Sequence, residues 1–138
     1  MVEILEITHQ ETLSIRHEVM WPDKPIDYVH IPNDHQGKHF GLFFNGKMIS
    51  VISLFIVNNE AQFRKFATLI DYQGQGFGSI LIKEILNIVK RENVDKIWCN
   101  ARVEKSNYYT KFGMRLTEHR FRKGGIEYVI MEKRYNTL

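Results

Sequence analysis

The sequence predicts an α/β fold, in the form of a mixed, largely antiparallel sheet with helices on both faces. Three observations carry that expectation. Two apolar runs flank Asn45-Gly46, the strongest short cue for a hairpin. A glycine-rich loop at 71–78 opens a long stripe of apolar residues at helical spacing. A second hairpin pattern surrounds Gly124-Gly125. With 138 residues and no repeat, linker or low-complexity tract, the chain is expected to be a single domain over 1–138.

The elements follow in order. Residues 2–7 alternate apolar and acidic side chains, as a half-buried strand does. Thr8 with Glu11 has the spacing of a capping box, and Leu13, Arg16, His17 and Met20 fall on helical spacing up to Pro22. Residues 21–38 hold all three prolines and predict irregular chain or very short helices. Residues 40–44, Lys47–Val57 and 61–68 then make an antiparallel meander through Asn45-Gly46 and Asn58-Asn59. The middle strand is apolar on both faces, so both should be covered. A helix over 75–91, a short buried strand over 96–101, a short helix over 107–112 ended by Gly113, and a final hairpin over 114–134 complete the order.

Composition narrows the function classes. A charged fraction of 25% and a hydrophobic fraction of 43% are ordinary globular values. No apolar run approaches the ~20 residues of a membrane span. Glu3 and Glu6 interrupt the first ten residues, which excludes a signal-peptide pattern. Cys99, the single cysteine, excludes a disulfide framework and fits a reducing, cytoplasmic setting. A net charge of +3 suits an anionic ligand and is far from demanding nucleic acid. The run Arg115, Arg120, Arg122 and Lys123 accordingly reads as a solvated hairpin.

The chemistry starts at Gln73-Gly74-Gln75-Gly76-Phe77-Gly78-Ser79. Glycines let the backbone approach a ligand closely. The first N–H groups of the following helix lack internal partners, and its dipole is positive there, so the loop suits a phosphate or pyrophosphate. The preceding strand belongs to a meander rather than a βαβ unit, which argues against a dinucleotide-binding fold. The absence of a Gly-Lys-Ser/Thr ending excludes a P-loop.

With a second motif the chain resembles the GCN5-related N-acetyltransferase superfamily. Gln73 to Gly78 fits that family's Gln/Arg-x-x-Gly-x-Gly/Ala loop. Asn100-Ala101-Arg102 followed by Tyr108-Tyr109-Thr110-Lys111-Phe112-Gly113-Met114 looks like its Asn-Ala-Arg … Phe-Tyr-x-Lys-x-Gly-Phe segment. Tyr108 and Met114 stand where phenylalanine is usual, and Lys105 where a small residue is common. The resemblance covers nearly the whole chain and is weakest over 8–38. It implies acetyl-CoA as co-substrate, with its pyrophosphate on backbone N–H groups from Gln73 to Ser79. It also implies a pantetheine arm paired with Phe66, Ala67 and Thr68, further contacts from Asn100 and Asn107, and a sheet splayed between the fourth and fifth strands. The oligomeric state stays open between monomer and homodimer.

The resemblance also makes Tyr109 the residue near the thioester sulfur, where a neutral phenol can donate to the leaving thiolate as general acid. The base is less marked. Glu60 opens the strand leading to the loop and is one candidate, but from Glu60 to Phe66 is ~20 Å at ~3.3 Å per residue, so it would act through water. The alternative for Glu60 is a turn residue in solvent. His39, at the start of the meander, is a second candidate base. Strand alternation puts Arg64 and Lys65 on opposite faces, where one could meet an acceptor carboxylate or phosphate. His30, Asp34, His35 and His39 lack the compact spacing of a helical metal-ligand pair, and no metal is expected.

The expected activity is therefore acetyl transfer from acetyl-CoA to a primary amine, by direct attack in a ternary complex without an acetyl-cysteine. N–H groups at the strand edge near Phe66 would polarise the thioester carbonyl. A CoA-binding sensor or structural protein that keeps the fold without turnover is the alternative. The acceptor is not identified by the sequence; residues 16–38 and the hairpin at Gly124-Gly125 are expected to shape its pocket.

Overall fold

The computed structural model describes residues 1–135. In chain order they form β1 (Val2–Ile7), α1 (His9–Met20), two 3-10 turns (Ile26–Val29, Asp34–Gln36), β2 (Lys38–Phe44), β3 (Lys47–Val57) and β4 (Glu60–Thr68). A further 3-10 turn (Ile70–Tyr72) leads to α2 (Phe77–Arg91), then β5 (Lys96–Arg102), a turn (Val103–Lys105), α3 (Ser106–Thr110), β6 (Arg115–Lys123) and β7 (Ile126–Arg134). The strands lie in the order β1-β2-β3-β4-β5-β7-β6. The sheet is the expected mixed one: β4 and β5 are parallel, while β1/β2, β2/β3, β5/β7 and β6/β7 are antiparallel. The chain divides into two compact units, one of Met1–Phe55 with Arg64–Ile85, the other of Ile56–Phe63 with the chain from Leu86 onward.

In the first unit, the hairpin of β2 and β3 turns on Asn45 (φ +50°) and Gly46 (φ +84°), the left-handed pair that the Asn-Gly dipeptide supplies. Residues 49–55 of β3 are buried without interruption, so both faces are covered as the apolar pattern requires. The capping box of α1 is present: Thr8 N–H donates to Glu11 Oε1 (2.8 Å) and Glu11 N–H donates to Thr8 Oγ1 (3.3 Å). The buried face differs from the expected one. Thr12, Ile15 and Arg16 point inward, with Leu13 and His17 only half-buried. Ile15, Val51 and Ala67 form a core to which Ile7, Val19, Met20, Met48 and Leu69 add. β1 is likewise more exposed than its alternation implies, because it is an edge strand: Val2 and Leu5 stay open and only Ile4 and Ile7 are half-buried.

Arg16 explains the shifted face. It is 0% exposed, and its guanidinium holds the Asp34 carboxylate in a fork, Nη1 to Oδ2 at 2.8 Å and Nη2 to Oδ1 at 2.9 Å. Nη1 also donates to the Val29 carbonyl (3.0 Å) and Nη2 to Ser53 Oγ (2.8 Å). Ile31 N–H donates to Asp34 Oδ2 (2.9 Å). Ser53 Oγ is 2.7 Å from His39 Nδ1, and His39 Nε2 is 2.8 Å from the Asp34 carbonyl. Since a carbonyl only accepts, Nε2 carries the proton and Nδ1 takes the Ser53 hydroxyl, which fits a neutral imidazole. Burial alone would raise Asp34, yet hydrogen bonds from Arg16 and Ile31 and the Arg16 charge outweigh it and hold the carboxyl below its usual range. Burial pushes His39 down, against the opposing pull of Asp34.

In the second unit, β5 pairs with β7 from Lys96↔Arg134 to Arg102↔Tyr128, and the start of β4 runs parallel to β5 from Glu60↔Lys96 to Gln62↔Trp98. Ile97, Cys99 and Ala101 are buried on β5, with Val129 and Met131 on β7. β6 follows β7 with a register shift between Leu116 and Arg120, where Thr117 Oγ1 donates to the Ile130 carbonyl (2.8 Å). α3 is shorter than expected and starts at Ser106. Its end tightens into bonds from Phe112 N–H to the Tyr109 carbonyl (3.0 Å) and from Gly113 N–H to the Thr110 carbonyl (3.1 Å) before Gly113 (φ +88°) closes it. Lys133 Nζ then donates to the Phe112 carbonyl (3.0 Å).

Replacing Arg16 by alanine leaves Asp34 buried without its partner, and is expected to destabilise the protein by about 3–5 kcal/mol in urea unfolding. Asp34 and His39 are both lowered in the folded state. Their contribution is therefore complete above the unfolded His value of about 6.5 and is lost as pH falls through the folded values. The urea midpoint should drop steadily below about pH 6.5. Cys99 is 2% exposed and burial pushes its thiol up to about 12. A thiol reagent at neutral pH should therefore leave it unlabelled until denaturant is added.

Candidate active site

The glycine loop follows β4 within the first unit. Its side chains turn inward on the loop itself: the Gln73 amide donates to the Thr68 carbonyl (2.8 Å) and the Gln75 amide to the Asp71 carbonyl (2.9 Å). Gln73 N–H is engaged too, with the Ile70 carbonyl (3.2 Å). The two glutamines thus shape the loop. Gly74 (φ +75°) and Gly76 (φ +90°) are left-handed, and a Cβ at either would meet nothing within 4 Å. The helical ladder begins with Ile80 N–H to the Gly76 carbonyl (3.1 Å). By helix geometry the N–H groups of Phe77 and Gly78 have no intrahelical acceptor. Phe77 anchors the turn between Phe44 (ring centroids 5.0 Å apart) and Tyr72 (6.2 Å), with Lys47 Nζ over the Tyr72 ring at 5.4 Å.

Phe66, Ala67 and Thr68 are joined to this loop through the Gln73 amide and to β3 through Ser50. The Ser50 hydroxyl donates to the Ala67 carbonyl (3.0 Å) and lies 2.8 Å from Thr68 Oγ1. Just before them, Lys65 has φ +54° inside the strand. A left-handed non-glycine residue costs about 1–2 kcal/mol and marks a kink of the bulge type. Strict alternation therefore fails here: Arg64, Lys65 and Phe66 are all half-buried, rather than dividing cleanly between two faces.

Tyr109 lies in the second unit, half-buried on α3. Its ring packs against Phe63 (centroids 5.7 Å) and Tyr108 (5.4 Å), and Tyr108 in turn against Phe112 (5.2 Å). Among the described residues its hydroxyl has no hydrogen-bond partner. Burial, then the neighbouring Cys99 and Tyr108, push the phenol well above its ordinary value, with Arg102 opposing. The hydroxyl stays protonated at any physiological pH and presents a donor without an acceptor.

The remaining expected residues lie as follows. Asn100 and Asn107 are exposed, with no side-chain partner among the described residues. Glu60 pairs with Lys96 (3.9 Å) and its side chain is 48% exposed. Ala61 and Phe63 are the buried positions at this end of β4, so alternation turns Glu60 to the face opposite the Phe63 ring that meets Tyr109. The structure does not bring Glu60 and Tyr109 together. Both His39 ring nitrogens are engaged in the buried network, which leaves no lone pair for base catalysis. His9, His30 and Asp34 bring ligand atoms within 4.8 Å of one another, but the Asp34 carboxylate is already held by the Arg16 cation at 2.8 Å, which opposes a metal ion there.

Two features escape sequence reasoning. Phe63 as the ring against Tyr109 has no motif to announce it. The Arg16–Asp34 pair joins residues 18 positions apart, across chain without regular periodicity. The one available signal is Arg16 on the inward side of a helical pattern.

Comparison with known proteins agrees with this geometry. The family described as acetyltransferase (GNAT) domain matches residues 9–135. The uncharacterized N-acetyltransferase YitI of Bacillus subtilis is 32% identical over 147 aligned residues, covering 99% of both chains. In fold, the chain is similar to the ribosomal-protein-S18-alanine N-acetyltransferase from Escherichia coli (TM-score 0.80, 18% identity, 100% of this chain and 96% of that one). It is similar also to a GNAT family acetyltransferase from Elizabethkingia anophelis with acetyl-CoA bound (TM-score 0.75, 15% identity, 96% and 97% of the two chains). With its sheet order, its glycine loop and a family match over nearly its whole length, this chain belongs to the GNAT acetyltransferase family.

Proposed function

We propose that this protein transfers an acetyl group from acetyl-CoA to a primary amine, by direct attack within a ternary complex. The observation that carries the reading is the loop from Gly74 to Gly78, with two left-handed glycines open to ligand and helix-start N–H groups of Phe77 and Gly78 beside them. That arrangement fits a pyrophosphate. The strand segment Phe66–Ala67–Thr68, fixed to the loop by Gln73, is suited to pair with the pantetheine arm.

In this reading a neutral amine attacks the thioester carbonyl. The C–N bond forms, the C–S bond breaks, and the electron pair leaves on sulfur. Tyr109, with its phenol raised and its hydroxyl free of partners, donates a hydrogen bond to the developing thiolate. Because a thiol is normally the stronger acid, at about 8.5, the phenol holds its proton and stabilises the thiolate by the bond itself. The amine's proton passes to water, since Glu60 lies on the other face of β4. Cys99 stays a buried, protonated thiol, which favours direct transfer over an acetyl-cysteine. A single buried free cysteine is in keeping with a cytoplasmic setting, and no helix among the described residues is long and apolar enough to cross a membrane.

Two substitutions test the reading. Gly76→Asp sets a carboxylate against pyrophosphate and is expected to weaken acetyl-CoA binding at least about a hundredfold by calorimetry, with Gly76→Ala as control for backbone strain alone. Tyr109→Phe is expected to lower kcat by about a hundredfold to a thousandfold with acetyl-CoA affinity unchanged. Full binding without transfer to any amine, in wild type and variant alike, would instead favour a CoA sensor.

A further inference from the structure

Arg16 is matched by Asp34. Arg64 is half-buried on β4, and burial first, then the Arg16 charge, lowers its pKa against the opposing pull of Asp34. Among the described residues Arg64 has neither an ion-pair nor a hydrogen-bond partner of its own. His9 adds a polar group beside Asp34: its ligand atom lies within 4.8 Å of those of His30 and Asp34, and its Nδ1 is buried with no partner among the described residues.

A half-buried guanidinium without a partner of its own is available to pair with an anionic ligand. Asp34 is unavailable, since both of its oxygens are taken by Arg16. Arg64 also stands beside the kink at Lys65, which interrupts the strand immediately before Phe66. Strained backbone of this kind persists where the surrounding structure holds it and clusters at functional sites. In the reading given above, the pyrophosphate lies at the glycine loop and the pantetheine arm along Thr68 to Phe66. Arg64 is then beyond the acyl end, on the acceptor side.

Resting on that reading of the domain, we propose that Arg64 is a specificity-determining residue that binds an anionic oxygen group of the acceptor, so that the acceptor is a small amine bearing a carboxylate or phosphate. The guanidinium fork suits two oxygens of one such group, as Arg16 already illustrates with Asp34.

The test uses matched amines: amino acids against their amides, and phosphoethanolamine and phosphoserine against ethanolamine and serine amide. Binding to the protein with CoA present is read by calorimetry, and transfer from acetyl-CoA by thiol release, for wild type, Arg64→Gln and Arg64→Lys, each checked for folding by its unfolding midpoint. At least one anionic amine should bind wild type about tenfold to a hundredfold more tightly than its neutral partner. Arg64→Gln should abolish that preference, Arg64→Lys should restore part of it, and acetyl-CoA affinity should not move. The carboxylate and phosphate arms tell which anion is read. If no anionic amine is preferred by wild type, or if Arg64→Gln keeps the preference, the proposal is overturned. Because the calorimetric arm needs no turnover, failure of acetyl transfer with anion preference intact would count against the catalytic reading and leave the Arg64 assignment standing.

Discussion

The fork between Arg16 and Asp34 is the constraint on which the first unit depends. One guanidinium joins α1 to the carbonyl of Val29, to the carboxylate of Asp34 and to Ser53 on β3. Ser53 passes the connection to His39 on β2, which closes it on the Asp34 backbone. The segment at 21–38, with little regular structure, is thereby given a fixed path by polar contacts rather than by a hydrophobic face. Such buried pairs contribute little net stability compared with a well-packed apolar replacement, but each partner is held strictly to the other. Here that strictness fixes where the chain between α1 and β2 runs.

The same pair sets the charge balance around it. Because Asp34 is fully engaged, any cation brought near must find its counter-charge elsewhere, and any metal must compete with a guanidinium already in place. In the second unit the electrostatics run the other way. Burial around Cys99 and Tyr109 suppresses ionisation of both, which turns one into an inert thiol and the other into a persistent hydrogen-bond donor. In the proposed reaction the phenol would act as a dipole toward developing charge, not as a group that cycles its proton.

Much of this was legible in the sequence because it is local. Asn45-Gly46 and Gly124-Gly125 need left-handed backbone and sit where they obtain it. The capping box at Thr8 and Glu11 and the glycine loop before α2 are likewise written within a few residues. What was not legible depends on distant partners. Leu13 and Arg16 look equally inward by helical spacing, and only Asp34, 18 residues past Arg16, decides the face. Alternation placed Arg64 and Lys65 on opposite sides of β4, and the left-handed turn at Lys65, which no residue type announces, breaks it. Glu60 looked like a base by its strand, and the side chain of Lys96 across the parallel register gives it another partner.

The far edge of the sheet has a consequence for the protein's colloidal behaviour. β6 is the terminal strand, exposed along nearly its whole length, and carries Leu116 and Phe121 in the open. A long open edge is a template for cross-β addition of other chains. Here it is guarded by Arg115, Arg120, Arg122 and Lys123, and its pairing is broken between Leu116 and Arg120. A second strand approaching this edge would meet charged side chains, mostly cationic with Glu118 among them, and a ladder out of step, so the charges of the final hairpin act as gatekeepers against aggregation.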